Sequence, residues 1–521
     1  MKWEIVIGLE VHAELSTKSK IFCGCAAAYG GEPNTHVCPV CSGMPGALPV
    51  LNREVVEYAL RLGLALDCSI TRQCKFDRKN YFYPDLPKAY QVSQLYAPIC
   101  CDGYVEIESQ SSSRSQSEGS SLDINESKKR IRIREIHMEE DAGKLNHTAQ
   151  GSLMDFNRCG VPLLEIVSHP DFVNTTAADA AAEVTAYLEK LHETLLYLDI
   201  CDCKMQEGSM RADINLSVRK PGEEFGVRTE TKNMNSFKAI SRAIEYEVNR
   251  QIDILEDGGQ IVQETRRWDD EKRTSSGMRS KENAQDYRYF PEPDLLPLHI
   301  DDEWIERTKK NLPELAHQKR GRYMRDYKIS ADEAGVLTCH KNISGLFETL
   351  TRKTGAANPA IAVNMVAESA HLVSGEIMRL MNSANILPEN LIIDENLSID
   401  AASDQDGCRC IDTDKLAALI GFVISGKINR ASYKETVEAV FTSNADPESY
   451  IAEKGLMMVS DDKAVTAAVD KIIEANKSSV ADYRAGKEKV FGFLMGMAMK
   501  ELGKGGNPEL VKKVLLEKLS K

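Results

Sequence analysis

Glu10 and His12 stand two residues apart in a stretch that otherwise alternates as a β-strand. Ile5, Ile7, Leu9, Val11, Ala13 and Leu15 share one face, and Glu10, His12 and Glu14 share the other. Further along, His137-Met138-Glu139-Glu140-Asp141-Ala142-Gly143 follows a second alternating stretch, and Glu165 ends the apolar run Val161-Pro162-Leu163-Leu164. Carboxylates and imidazoles are costly to bury unless they hold a metal, pair with a cation or do chemistry. Two bare carboxylates about 4 Å apart repel by about 4 kcal/mol at an effective dielectric of about 20, and a divalent cation turns that repulsion into binding. Oxygen-rich ligation with at most one imidazole suits Mg²⁺ or Mn²⁺ better than Zn²⁺. Magnesium held by carboxylates keeps positions open for phosphate oxygens, which points to a nucleotide. Arg211, Lys232 and Lys79 are candidate clamps for charge developing on a phosphoryl group.

A second constellation is Cys23-Gly24-Cys25 followed by Cys38-Pro39-Val40-Cys41. Two close pairs joined by a short loop are what a tetrahedral thiolate zinc site needs, because each pair brackets the ion from one knuckle. Buried thiols or an oxidisable pair are the alternatives. Most of the other cysteines, from a total of 14, are scattered through apolar segments as small buried residues would be. The start, Met-Lys-Trp-Glu-Ile-Val-Ile-Gly, reads as a strand and lacks the regions of a signal peptide. A disulfide framework is therefore disfavoured, and a cytoplasmic setting is expected.

The elements that must position these groups follow from periodicity. Residues 53–66 predict an amphipathic helix, and residues 104–137 a hairpin with a Ser-rich, aperiodic tip at 109–128. A longer helix is predicted from Ala177 to Leu198, with Val184, Leu188, Leu191, Leu195 and Leu198 on one stripe. The cleanest strand follows it. Met210, Ala212, Ile214, Leu216 and Val218 point one way, and Glu207, Ser209, Arg211, Asp213, Asn215 and Ser217 the other. Charges of both signs crowded with amides on one face suggest a substrate-facing sheet, with an ordinary surface strand as the alternative. Pro291, Pro293 and Pro297 mark an expected domain boundary. Beyond it the pattern is helical, interrupted by an acidic linker near 400–407.

With 521 residues, 42% apolar and 28% charged, the chain reads as a soluble protein of two to four domains. No run approaches the roughly 18 apolar residues of a membrane span. A net charge of -14 argues against a surface wrapped throughout in nucleic acid. From Lys477 onward, however, Lys and Arg outnumber Asp and Glu by 10 to 5. Such an end suits contact with a polyanion, or is simply a solvated helix face. Gly421 to Ile428 nearly matches a phosphate-binding loop but offers Ile428 where a hydroxyl is needed, so Gly426 reads as a helix terminator. No serine or cysteine nucleophile is recognisable.

Long motifs carry a resemblance over nearly the whole chain: GLEVH at 8–12, the CxC and CPVC pairs at 23–41, RKNYFYPDLPKAYQVSQ at 78–94, IHMEEDAGKL at 136–145 and DFNRCGVPLLEIVSHPD at 155–171. EGSMRADINLSVR, TKNMNSF, TRRWDDE and FGFLMGMAMKELGKGGNPELV extend it. The chain closely resembles the GatB family, the B subunits of bacterial aspartyl/glutamyl-tRNA amidotransferases. The resemblance implies an α+β fold: a cradle domain with an antiparallel sheet like the catalytic fold of glutamine synthetase, followed by all-α helical and tail domains. The expected boundaries are 1–295, 296–405 and 406–521. It implies ATP-dependent amidation of mischarged Glu-tRNA(Gln), Asp-tRNA(Asn) or both. The family's A and C subunits are the expected partners in a heterotrimer, the first a glutaminase that supplies ammonia and the second a small brace for the pair.

Carried over by position, Glu10, His12, Glu140 and Glu165 are the expected magnesium ligands, with Glu139 adjoining. Glu10, His12, Glu139, Glu140 and Arg211 are the expected catalytic set. Lys79, Glu207, Ser209, Arg211, Asp213, Asn215 and Lys232 are expected in the ATP pocket. Cys23, Cys25, Cys38 and Cys41 match the family's zinc-bearing version, where zinc is structural. Lys500, Lys504, Lys512 and Lys513 are expected to touch tRNA. The competing readings are the archaeal-type relative that acts on Glu-tRNA(Gln) only, a non-catalytic zinc-containing tRNA-binding scaffold, and a free-standing ATP-dependent ligase.

Overall fold

The computed structural model describes residues 3–108, 128–280, 287–355, 362–393, 408–458, 462–484, 487, 489–502 and 506–520. The Ser-rich tip over 109–127, the acidic linker over 400–407 and Lys504 lie outside the described residues. The chain divides into two compact units, Met1–Leu315 and Ala316–Lys521.

The first unit is built on a ten-stranded sheet. Its strands are β1 (Glu4–Glu14), β2 (Ser69–Ile70), β3 (Cys100–Glu108), β4 (Lys128–Glu140) and β5 (Pro162–Ser168). They continue with β6 (Phe172–Asn174), β7 (Met210–Arg219), β8 (Thr229–Lys232), β9 (Glu264–Asp269) and β10 (Thr274–Ser280). The order is β10-β9-β8-β7-β1-β5-β4-β3-β2, with β6 also on β1. Neighbours are antiparallel except β8 and β9, which are parallel.

Alternation makes this sheet two-faced. Leu9, Val11 and Ala13 of β1 are buried with Ala212, Ile214 and Leu216 of β7. Helices α1 (Arg53–Ala65), α2 (Ala177–Tyr197) and α3 (Phe237–Glu256) pack on the strands and on one another. The predicted α2 stripe, Val184, Leu188, Leu191, Leu195 and Leu198, is buried throughout. Each helix starts at a side-chain cap: Asn52, Thr176 and Ser236 accept the N–H of Glu54, Asp179 and Ala239. Such a cap contributes about 1 kcal/mol.

One irregularity decides what reaches the other face. The pairing of β4 with β5 slips at Val167/Ser168. Ile131 and Ile133 lie in the core before the slip, and Ile136 and Met138 after it. The alternation of β4 is thus reset by one residue, and every later side chain changes face.

The prolines do not mark the domain boundary. Phe290–Pro291 pairs with Asp77–Asn80, and Leu298–His299 pairs with Gln73–Cys74. Helix α4 (Asp302–Lys310) packs on α1, where Trp304 Nε1 donates to Glu57 Oε2 at 2.6 Å. These contacts tie residues beyond 295 to the first unit, so its end moves to Leu315.

The second unit is helical and holds two apolar cores. One gathers residues from Tyr323 to Leu456, and the other residues from Val465 to Leu519. The division expected at 405/406 falls inside the first of these, where Leu391–Ile393 pairs in parallel with Arg409–Ile411. Gly426, at φ +67°, follows the helix Thr413–Ile424, and Lys427 N–H returns to the Phe422 carbonyl at 2.9 Å. Gly426 is therefore a helix terminator, as its position predicts. Among the described residues no helix is long and apolar enough to cross a membrane.

Candidate metal centres

The sheet register brings the predicted groups together. His137 of β4 lies opposite Glu165 of β5, and Glu165 lies opposite His12 of β1. Glu139, two residues along β4 from His137, shares their face. His12 Nε2 is 3.5 Å from Glu165 Oε2 and 3.6 Å from Glu139 Oε1. His137 Nε2 is 3.0 Å from the same Glu165 oxygen. His12, Glu139 and Glu165 each offer one ligand atom, all within 4.8 Å of one another.

A second group lies beside the first. Glu10 of β1 is opposite Asp213 of β7, and with Glu230 of β8 they bring three oxygens within 4.8 Å. Asn215 Nδ2 donates to Glu10 Oε1 at 3.1 Å. Lys232 forms ion pairs with Asp213 and, at 3.0 Å, with Glu230. Glu10 and His12, neighbours on one strand face, thus belong to two adjoining acidic groups.

The electrostatics show how tightly these charges are held. Burial raises the Glu10 pKa, and the charges of Glu165, Glu230 and Asp213 add to it against Lys232. Burial raises that of Glu139 too, helped by Glu165. At His12 burial works downward but is outweighed by Glu165, Glu139 and Asp213, which raise the imidazole to about 9. At Glu165 burial works upward but is outweighed by His137 and His12, which hold it well below the usual carboxylate range. Lys79 is half-buried, and although desolvation works against its charge, Glu139, Tyr289 and Glu165 keep its ammonium favoured.

The donor chemistry suits a hard divalent cation. Glu10, Asp213 and Glu230 offer carboxylate oxygens alone, and His12, Glu139 and Glu165 offer two carboxylates and one imidazole. His137, bonded to Glu165 at 3.0 Å, stands where a side chain could orient that carboxylate toward a cation.

Several predicted residues lie elsewhere. Glu140 was expected as a magnesium ligand, but the slip in β4 puts it on the face opposite Glu139. There its carboxylate pairs with Lys88 Nζ, 2.6 Å from Oε2, and accepts Val92 N–H at 2.9 Å. Glu207 and Ser209 do not join the acidic groups either. The N–H groups of Glu207, Gly208 and Ser209 all point at the Lys204 carbonyl, with Gly208 at φ +89°. This turn breaks the alternation before Met210, so Glu207 meets Lys204 and Ser209 bonds to Asp202. Arg211, by contrast, stays on the Asp213 face of β7 opposite His12, and its Nη2 meets Asp141 Oδ2 at 2.9 Å.

Two residues of this face were not among the expected ligands. His137 stands in the IHMEEDAG segment two residues before Glu139, and that spacing is the signal for it. Glu230 lies in a strand of four residues, too short for periodicity to single it out.

The four predicted cysteines also converge. Cys23, Cys25, Cys38 and Cys41 bring their sulfurs within 4.8 Å of one another, with Cys38 and Cys41 3.9 Å apart. A tetrahedral centre with metal–sulfur bonds of about 2.3 Å separates its sulfurs by about 3.8 Å. The Cys38 N–H donates to Cys41 Sγ at 3.2 Å. This donor set fits zinc.

Comparison with known proteins places the architecture. A family model described as the GatB/GatE catalytic domain matches residues 5–306, and one described as the GatB domain matches residues 347–519. The aspartyl/glutamyl-tRNA(Asn/Gln) amidotransferase B subunit of Lachnoclostridium phytofermentans is 52% identical over 522 residues, covering 100% of this chain and 99% of its own length. The proteins of the same name from Caldicellulosiruptor bescii and Thermoanaerobacter sp. strain X514 are 49% and 46% identical, each match covering 100% of both chains. A sheet that carries two acidic groups, the joined catalytic and helical family domains, and full-length relatives of one name together show that this chain belongs to the GatB family of amidotransferase B subunits.

Proposed function

We propose that this chain activates and amidates the side-chain carboxylate of glutamate or aspartate misattached to tRNA(Gln) or tRNA(Asn). Family membership makes the chain a component of a tRNA-dependent amidotransferase. The helical domain over 347–519 and the full-length relatives favour the bacterial B-subunit reading over the archaeal-type one. The reading of the chemistry rests on one observation, the two acidic groups side by side on one sheet face with cations around them.

In this reading His12, Glu139 and Glu165, and beside them Glu10, Asp213 and Glu230, hold divalent cations. Magnesium held by these residues would supply positive charge to the phosphates of a bound nucleotide. Lys79, Lys232 and Arg211 supply fixed positive charge to the transferring phosphoryl group, and Asp141 holds the Arg211 guanidinium in place. An oxygen of the ester-linked amino acid's carboxylate attacks the terminal phosphorus, and ADP leaves. Ammonia then attacks the acyl carbon and phosphate departs, leaving the amide. Ammonia comes from a partner glutaminase, which accounts for the lack of a recognisable nucleophile here, and a small third partner completes the heterotrimer. The helical unit holds tRNA, with the exposed Lys500, Lys512 and Lys513 on its last helices. Zinc at the four cysteines is structural.

The test is amidation of purified Glu-tRNA(Gln) and Asp-tRNA(Asn) by this chain co-expressed with the glutaminase and the bracing partner. Labelled Gln-tRNA or Asn-tRNA is the expected product, with ATP consumed only when mischarged tRNA is present. ATP cleavage without amide would contradict the reading.

A further inference from the structure

Lys20 is buried completely. A lysine side chain is almost never enclosed in this way unless an anion meets it. Its ammonium donates to the His36 carbonyl at 2.7 Å and lies 3.5 Å from the Phe156 carbonyl and 3.7 Å from Cys41 Sγ. Among the described residues no carboxylate forms an ion pair with it. Its backbone is committed to the same place, because Lys20 N–H donates to the Cys25 carbonyl at 3.0 Å. One residue therefore touches both knuckles, the CxC pair through its main chain and the CxxC pair through its side chain.

Four thiolates around a divalent zinc leave a net double negative charge, and half-buried sulfurs cannot leave all of it to water. The carbonyls that receive the Lys20 ammonium carry only dipoles. The group in reach that carries full charge is the thiolate set. Two costs that would each be prohibitive, an enclosed ammonium and a doubly negative cluster, cancel when placed side by side.

We infer that Lys20 is the built-in counter-ion of the four-cysteine centre, a positioning residue whose fixed positive charge offsets the thiolate–zinc group and ties its two knuckles together. The inference rests on reading the four cysteines as a zinc centre. It differs from a plain structural peg, in which Lys20 serves only to satisfy the His36 and Phe156 carbonyls. A peg needs a donor; a counter-ion needs a charge.

The experiment is zinc release from the full chain to a colorimetric chelator. The wild-type chain is measured first, and about one zinc per chain is expected. A zinc-free native chain would overturn the zinc reading and this inference with it. With zinc present, Lys20→Met should release it about 10- to 100-fold faster, the range typical of lost outer-shell partners. Lys20→Arg, which keeps the charge, should release zinc more slowly than Lys20→Met. Lys20→Gln, whose amide keeps a donor without the charge, separates a counter-ion from a peg and should release zinc as fast as Lys20→Met; should Lys20→Met not fold, it carries the test alone. Fast release from the Gln variant supports the counter-ion. Release at the wild-type rate from the Met or Gln variant, or equal acceleration in the Arg and neutral variants, would overturn it while leaving the zinc centre in place.

Discussion

Glu139 and Glu140 are adjacent in the chain and serve opposite faces of the sheet. The Glu139 carboxylate lies 3.6 Å from His12, and that of Glu140 pairs with Lys88 through both oxygens. Strand alternation makes the division unavoidable, and the slip in β4 decides which residue gets which face.

The two glutamates should therefore fail differently. Glu139→Gln should cut tRNA-dependent ATP cleavage by at least about 100-fold with unchanged folding, since it weakens the electrostatic support of phosphoryl transfer. Glu140→Gln should lower stability by about 3 kcal/mol, because it leaves Lys88 enclosed without its anion. Urea unfolding and steady-state ATP cleavage on both variants check this pair of outcomes.

The elements that carry long periodic patterns are legible in the sequence. The alternation of β1 puts Glu10 and His12 on one face, and the leucine stripe of α2 marks its buried side. What is not legible depends on contacts between distant segments. The slip between β4 and β5 cannot be read from β4 alone, so the carry-over by position gives Glu140 to the metal and leaves Glu139 adjoining. The turn around the Lys204 carbonyl ends an alternation that the sequence extends back to Glu207. The prolines at 291–297 read as a boundary because their short pairings with Asp77–Asn80 and Gln73–Cys74 are long-range. The metal and nucleotide readings follow from donor chemistry in the sequence, whereas the tRNA role comes from the family resemblance.

Acid should loosen the first unit at Glu247. This buried carboxylate accepts from Thr229 at 2.7 Å and Arg250 at 2.6 Å. Burial works to raise its pKa, but the bonds from Arg250, Gln251 and Thr229 outweigh that and hold it below the ordinary 4.5. A depressed carboxylate contributes stability that is full above its unfolded-state pKa and is lost as pH falls through the folded value. Denaturant midpoints should thus fall as pH drops below about 4.5. Glu247→Gln should be less stable at neutral pH by about 2 kcal/mol and flatter across the acid range.

Zinc content should follow the cysteines. Cys38→Ser and Cys41→Ser, together, should abolish bound zinc as measured by atomic emission and destabilise the first unit. Wild-type zinc content in the double variant would remove these residues from the centre.

The C-terminal lysines should act through charge. Lys512→Glu with Lys513→Glu should weaken tRNA binding about tenfold at moderate salt and reduce the slope of log affinity against log salt by about 1 to 2. Filter binding over a salt series provides the measurement, and an unchanged slope would place the tRNA contact elsewhere.

The most direct test of the acidic sheet face is Mn²⁺ binding by the full chain, followed by electron paramagnetic resonance of the free ion. Wild type should bind Mn²⁺, and Glu165→Gln and Asp213→Asn should each weaken that binding at least about tenfold, the scale of a lost ligand or its support. Equal binding by wild type and both variants would contradict the assignment of these side chains to a metal.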